Sequence, residues 1–208
     1  MRWQMSVWAV IDFETTGLSP THGAKPTEIG ICLVEDGRII DRYQSLMNPG
    51  ISIPFKIQQL TGITDSMLKK APSVSTVMNE AADFVADFPL LAHNASFDRK
   101  FWEFELKILK RKSRNDLACS LLLSRRLFPE LMDHRLETLV NLFQLPVRGS
   151  CHRAMADAEC TAHLFLRIKD EIRRRFNLVS VNHELLIAIQ SAKKHNLHQC
   201  IREFSGVS

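Results

Sequence analysis

Residues 6–18 read SVWAVIDFETTGL, and the fold of the chain turns on them. Residues 6–11 are short, apolar and rich in β-branched and aromatic side chains, the pattern of a strand buried on both faces. The run ends on Asp12, and Glu14 follows two positions later. Side chains two apart on a strand point to the same side of the sheet, so the two carboxylates are forced together. Like charges so placed repel, and beside a buried strand they persist only where one stays protonated or a cation neutralises them. A hard divalent metal is the natural solution. An isolated Asp-x-Glu more often just ends a strand in solvent. Here Thr15, Thr16, Gly17 and Leu18 follow, a small polar turn whose glycine lets a ligand come close to backbone N–H groups.

Outward from this strand, residues 28–34 and 38–47 read as two more strands, joined through Glu35, Asp36 and Gly37, where Asp-Gly is a strong hairpin signal. A turn-rich segment spans 54–64. Helical periodicity covers 75–87, a brief buried strand 89–92, and helices 97–112, 118–127 and 136–143 precede a long helix over 153–176. The order β-β-β-α-β-α, then further helices, predicts an α/β domain whose mixed sheet is flanked by helices on both faces. A break at 177–182 sets off a further helical pattern at 184–195. The chain therefore divides into a main domain, 1–176, and a short helical C-terminal extension, 177–208, whose Leu185, Leu186, Ile189 and Leu197 are expected to pack back on the domain.

Three further residues join the two acids. Asp98 follows a strand-to-helix junction, with Ser96 expected as the helix cap; an acid in a first helical turn is favoured by the helix dipole in any case. Asp157 lies in the Ala-rich start of the long helix. On one regular helix His152 would be turned about 140° from it, so His152 is expected on the loop or first turn, leaning over the site. Alone, each has an ordinary explanation as a cap or surface residue. In conjunction, four acids and a histidine fall in chain order at strand and helix ends, where open α/β sheets place their sites.

Asp12-Phe13-Glu14-Thr15-Thr16-Gly17-Leu18, His93-Asn94-Ala95-Ser96-Phe97-Asp98 and His152-Arg153-Ala154-Met155-Ala156-Asp157-Ala158 together resemble the DnaQ-like DEDDh exonucleases, the group that includes the proofreading epsilon subunit of bacterial DNA polymerase III. The resemblance covers about residues 7–176 and implies an RNase H-like exonuclease fold. It further implies two divalent cations, Mg²⁺ or Mn²⁺: Asp12, Glu14 and Asp157 would hold one, Asp12 and Asp98 would serve the second, and His152 would be the general base. Two metals about 4 Å apart suit an in-line displacement at phosphorus, and a histidine suits taking a proton from water. By the same resemblance, backbone near Thr15 and Thr16 would grip the 3′-terminal nucleotide, Leu18 and Leu60 would contact its base, and Asn94 and Phe97 would neighbour the substrate. Asp116 is taken as structural.

With 208 residues and 45% hydrophobic content the chain can bury a full-sized core. The formal charge is +4 and the pI about 8.9. Basic clusters at Lys107, Lys110, Arg111, Lys112 and Arg114, at Arg125 and Arg126, and at Arg173 to Arg175 would suit a polyanion. Cys32, Cys119, Cys151, Cys160 and Cys200 show no framework spacing, which points to a reduced, cytoplasmic setting. No apolar run approaches a membrane span, and the first residues do not read as a signal peptide. The expected substrate is the 3′ end of single-stranded DNA. RNA, or short oligonucleotides, would use the same residues, and a DNA polymerase or a second copy of the chain is the implied partner. A non-catalytic nucleic-acid-binding module on the same fold is the rival from another class.

Overall fold

The structure, a computed structural model, describes residues 7–113, 115–147, 152–193 and 196–205. Ser6, Arg114, Cys151, His195 and the last three residues of the extension, all named above, lie outside them.

One five-stranded sheet carries the fold, in the order β3-β2-β1-β4-β5. β1 (Trp8–Thr15), β2 (Pro26–Glu35) and β3 (Arg38–Leu46) form an antiparallel meander, while β4 (Leu90–Ala92) and β5 (Leu117–Cys119) add to β1 in parallel. The β2–β3 turn has Asp36 and Gly37 both at positive φ, 46° and 80°, as the Asp-Gly hairpin signal requires. The sheet is mixed, helices cover both faces, and the RNase H-like expectation holds.

Alternation along β1 decides which face holds the acids. Ala9, Ile11 and Phe13 pack with Ile29 and Ile31 against α3 (Val74–Val85) and α4 (Ser96–Ile108). Trp8 and Val10 face the other way, with Cys32 and Val34, into a core built by α5 (Ser120–Leu127), α6 (Leu136–Phe143) and α7 (Ala154–Phe176). The period of two then puts Asp12 and Glu14 on the α7 side.

The extension forms α8 (His183–Ser191) and α9 (Leu197–Ser205). Val181, Leu185, Leu186, Ile189, Leu197 and Ile201 lie buried in the same core as α7, so the extension packs back on the domain. Its Gln190 side chain accepts a hydrogen bond from the Cys119 N–H at the end of β5 (2.7 Å).

Four local expectations are corrected. The turn-rich segment 54–64 contains α1 (Phe55–Thr61), followed by α2 (Asp65–Leu68); Pro54 precedes the first turn and Gly62, at φ 70°, closes it. Residues 118 and 119, read as the start of the 118–127 helix, belong with Leu117 to β5, because a three-residue apolar run has no period of its own. The 97–112 helix stops at Ile108, with Lys110 at φ 56° turning the chain. Ser96 is not the cap of α4: Ala95 occupies that position and makes no side-chain bond, while the Phe97 N–H reaches the Asn94 carbonyl (2.9 Å).

Candidate active site

β1 pairs with β4 only at Ala9 and Val10, because β4 ends at Ala92 and the chain turns away through Asn94 at φ 61°. The Phe13 N–H is thereby left without a strand partner on that side, and Asp98 accepts it at 3.1 Å. Asp98, on the first turn of α4, is almost wholly buried beside Asp12 as a result.

From the opposite side comes the start of α7. His152 sits two residues before the helix at φ 60°, and its backbone N–H donates to Asp157 Oδ2 at 3.1 Å. This bond folds the approach to the helix back on its own first turn, the position expected for His152. Ligand atoms of Glu14, His152 and Asp157 all lie within 4.8 Å of one another.

The acids are unlike ordinary surface carboxylates. Burial pushes the Glu14 carboxyl up to about 8; Asp157 and Glu28 add to the rise, and Arg153 opposes it. Asp12 is raised well above the carboxylate range, first by burial and then by the charges of Asp98, Asp157, Glu14 and Glu28. Burial likewise raises Asp98, against the lowering effect of its backbone N–H bonds, and Asp157, against the lowering effect of His152. Four acids crowded into one buried place resist ionising together, and a cation among them would offset the charge they carry once ionised. A divalent metal fits them, since carboxylate oxygens with an imidazole nearby are a donor set such ions accept.

Sequence reasoning missed Glu28. It lies on β2 directly across from Glu14, where paired side chains share a face. Yet it is completely buried and points away into a closed set of donors: Arg153 Nε (3.0 Å) and Nη2 (2.8 Å), the Ala154 N–H (3.0 Å) and Gln44 Nε2 (2.8 Å). Despite its burial, these bonds keep its pKa below the ordinary value. Two positions on, Gly30 pairs with Asp12, and a Cβ there would stand 2.5 Å from the backbone of Ala154 and Met155. β2 thus receives the start of α7 at contact distance, with Gly30 as the seat and Glu28 as the latch. The only sequence signal was an acid inside a strand; its partner lies 125 residues away.

The remaining predicted residues take different places. Thr15 and Thr16 are buried in the turn: Thr15 Oγ1 donates to the Gly17 carbonyl (2.6 Å), and the Thr16 N–H bonds the Lys25 carbonyl (2.8 Å). Leu18 is 81% exposed and Leu60, on α1, 52%, two large apolar side chains left in water. Asn94 is exposed at the end of β4. Phe97 packs on Phe101, ring centroids 5.2 Å apart, and belongs to the core beneath the site. The Asp116 carbonyl receives the Leu90 N–H (2.8 Å), and Asp116 stands outside the acid cluster.

A mixed sheet with buried acids at the carboxyl end of its central strand defines an RNase H-like nuclease. Comparison with known proteins agrees. The family described as Exonuclease matches residues 9–165. The chain is 42% identical, over 81% of its length, to DNA polymerase III PolC-type of Halalkalibacterium halodurans, but covers only 12% of that protein. It is 33% identical to DNA polymerase III subunit epsilon of Aquifex aeolicus, covering 82% of this chain and 84% of that one. Exonuclease X in complex with 5′ overhanging duplex DNA superposes with a TM-score of 0.69 at 24% identity, over 88% of this chain and 99% of that one, a likeness of fold. The chain belongs to the exonuclease family, in the 3′→5′ branch typified by the epsilon subunit. Among the described residues no helix is long and apolar enough to cross a membrane.

Proposed function

We propose that this chain removes 5′-mononucleotides one at a time from the 3′ end of single-stranded DNA, with Asp12, Glu14, Asp98 and Asp157 as metal ligands and His152 as general base. The observation that carries it is the gathering of four acids, all with proton affinity raised by burial and mutual repulsion, beside a histidine. Asp12, Glu14 and Asp157 would hold one Mg²⁺ or Mn²⁺, and Asp12 and Asp98 a second. When bound, such ions supply charge neutralisation at the phosphate and a more acidic water. The protein's own contribution is placement. His152 is exposed and close to Glu14 and Asp157, so its ring can take the proton of an attacking water at the rim of the cluster. Leu18 and Leu60 offer apolar surface to the terminal base, and backbone near Thr15 and Thr16 would hold its sugar and phosphate.

The relatives that combine this kind of domain with DNA polymerase III favour DNA and a role in replication or repair in the cytoplasm, with a polymerase as partner. The test is incubation with 5′-labelled single-stranded DNA and RNA of equal sequence, with Mg²⁺, Mn²⁺ or EDTA. A one-nucleotide ladder that needs metal, runs faster on DNA and slows by about 10²–10⁴-fold in His152→Ala is expected. Absence of a ladder on either polymer with either metal sinks the proposal; a faster ladder on RNA overturns its choice of substrate.

A further inference from the structure

We propose that the groove between the β4–α4 turn and the α5–α6 loop is the bed for the trailing single strand, the nucleotides upstream of the one being removed. This rests on the exonuclease reading above and extends it to a second binding surface.

The topology sorts the basic clusters. The acids lie where the parallel strands β1 and β4 end, and α4 and α7 both start at that edge and run away from it. Thirteen residues carry α4 about 20 Å, and 23 carry α7 about 34 Å, from their first turns. Lys107 and Arg111 therefore sit at the far end of α4, with Arg111 held by Asp83 (2.7 Å). Arg174 and Arg175 sit at the far end of α7, both paired with Glu171. Neither cluster is near the reacting end of a strand.

The α5 cluster differs. α5 starts at the catalytic edge, directly after β5, and the loop beyond it returns to that edge. His93 pins the loop there: its Nδ1 meets Ser120 Oγ at 2.9 Å and its Nε2 meets the His134 carbonyl at 3.0 Å. Burial pulls the His93 pKa down to about 4, so this floor is neutral and built of hydrogen bonds. The resulting groove, of about 740 Å³, has Asn94 in its lining, four residues before Asp98 in the chain.

Its walls carry the two chemistries a single strand needs. Arg125 is exposed on one wall and makes no ion pair among the described residues, whereas Arg135 is tied to Asp133. Met132, on the loop, is fully exposed, a soft and polarisable apolar side chain held in water. A guanidinium for phosphate beside an apolar surface for a base is the pairing that sequence-tolerant single-strand binders use.

The test compares an eight-residue single-stranded DNA with thymidine 5′-monophosphate p-nitrophenyl ester, which is too short to enter the groove. Arg125 is exposed, so its variants should melt with the wild type. In Arg125→Ala the ratio of octamer to ester kcat/KM should fall about fivefold to tenfold, through KM, and the salt dependence of octamer binding should lose about one phosphate contact. Arg125→Lys should recover most of both. An unchanged ratio and salt dependence in Arg125→Ala and Arg125→Glu overturns the proposal. If the wild type hydrolyses neither substrate, the exonuclease reading fails, and fluorescence anisotropy of the intact octamer in EDTA still decides the groove. Affinity lost in Arg125→Glu supports it, and affinity kept overturns it.

Discussion

Burial raises the proton affinity of Asp12, Glu14, Asp98 and Asp157, and on the proposed function a cation takes the place of those protons. A carboxyl whose folded pKa is raised binds more protons folded than unfolded, so its contribution to stability is full below the unfolded pKa and is lost as pH rises through the folded one. Glu14 titrates in the fold at about 8, against an ordinary value near 4.5. His93, lowered to about 4, acts in the opposite sense below about 6.5, which leaves roughly pH 6.5 to 8 as the window where the acids dominate. In EDTA the melting temperature should therefore fall as pH rises across that window, and saturating Mn²⁺ should flatten the trend; a melting curve series in both buffers checks it. Asp12→Asn should abolish nuclease activity while raising the EDTA melting temperature at pH 8 by about 2–4 °C, the equivalent of about 1 kcal/mol for a chain of this size. A variant that is inactive and also less stable would mean that Asp12 serves the fold. These acids were legible in the sequence because each lies in the second half of a strand or the first turn of a helix. Glu28 was not, because its meaning resides in Arg153 and Ala154, and only the folded chain brings them to it.

At the scale of elements, the site depends on how α7 lands on β2. Gly30→Ala would drive a methyl into the backbone of Ala154, which has no flexible end to yield. The expected cost is about 1–3 kcal/mol, with a loss of activity out of proportion to it, since His152 and Asp157 ride on the displaced turn. Glu28→Ala would orphan Arg153 and the Ala154 N–H, and should cost about 2–4 kcal/mol, below the value for a fully buried pair because Arg153 is 34% exposed. Chemical denaturation and kcat measured on the same preparations test both; full activity in either variant would contradict the latch. The misread elements share a cause. α1 hides behind Pro54 and Gly62, which mark turns as readily as helix ends, and β5 is too short to show a period. The long amphipathic helices and the β2–β3 hairpin, whose signals are local, were plain from the sequence.

For the whole molecule, the family match ends at residue 165, while the hydrophobic core does not. Six buried apolar residues of the segment after Phe176 close the α7 face, and Gln190 and the Ala192 carbonyl, the latter bonded by Arg126 Nε (2.5 Å), tie α8 to β5 and α5. Each such side chain contributes about 1.5–3 kcal/mol by burial, a sum comparable with the stability of a whole domain. A chain cut after Asn177 should lose near-UV circular dichroism or aggregate; a cut chain that melts with the full one would make the extension an accessory. A break in composition suggested a boundary at 177, but which surface the extension covers depends on side chains distant in sequence.

The central claim is that the acid cluster with His152 cleaves phosphodiester bonds from a 3′ end with bound metal. The most direct measurement is product identity: incubate 5′-labelled single-stranded DNA with the protein and Mn²⁺, stop at low conversion, and weigh both products by mass spectrometry. The account predicts nucleoside 5′-monophosphate and a strand one residue shorter with a free 3′-hydroxyl, both absent in EDTA and in Asp98→Asn. A 3′-phosphate on the shortened strand, or equal release in EDTA, would contradict it.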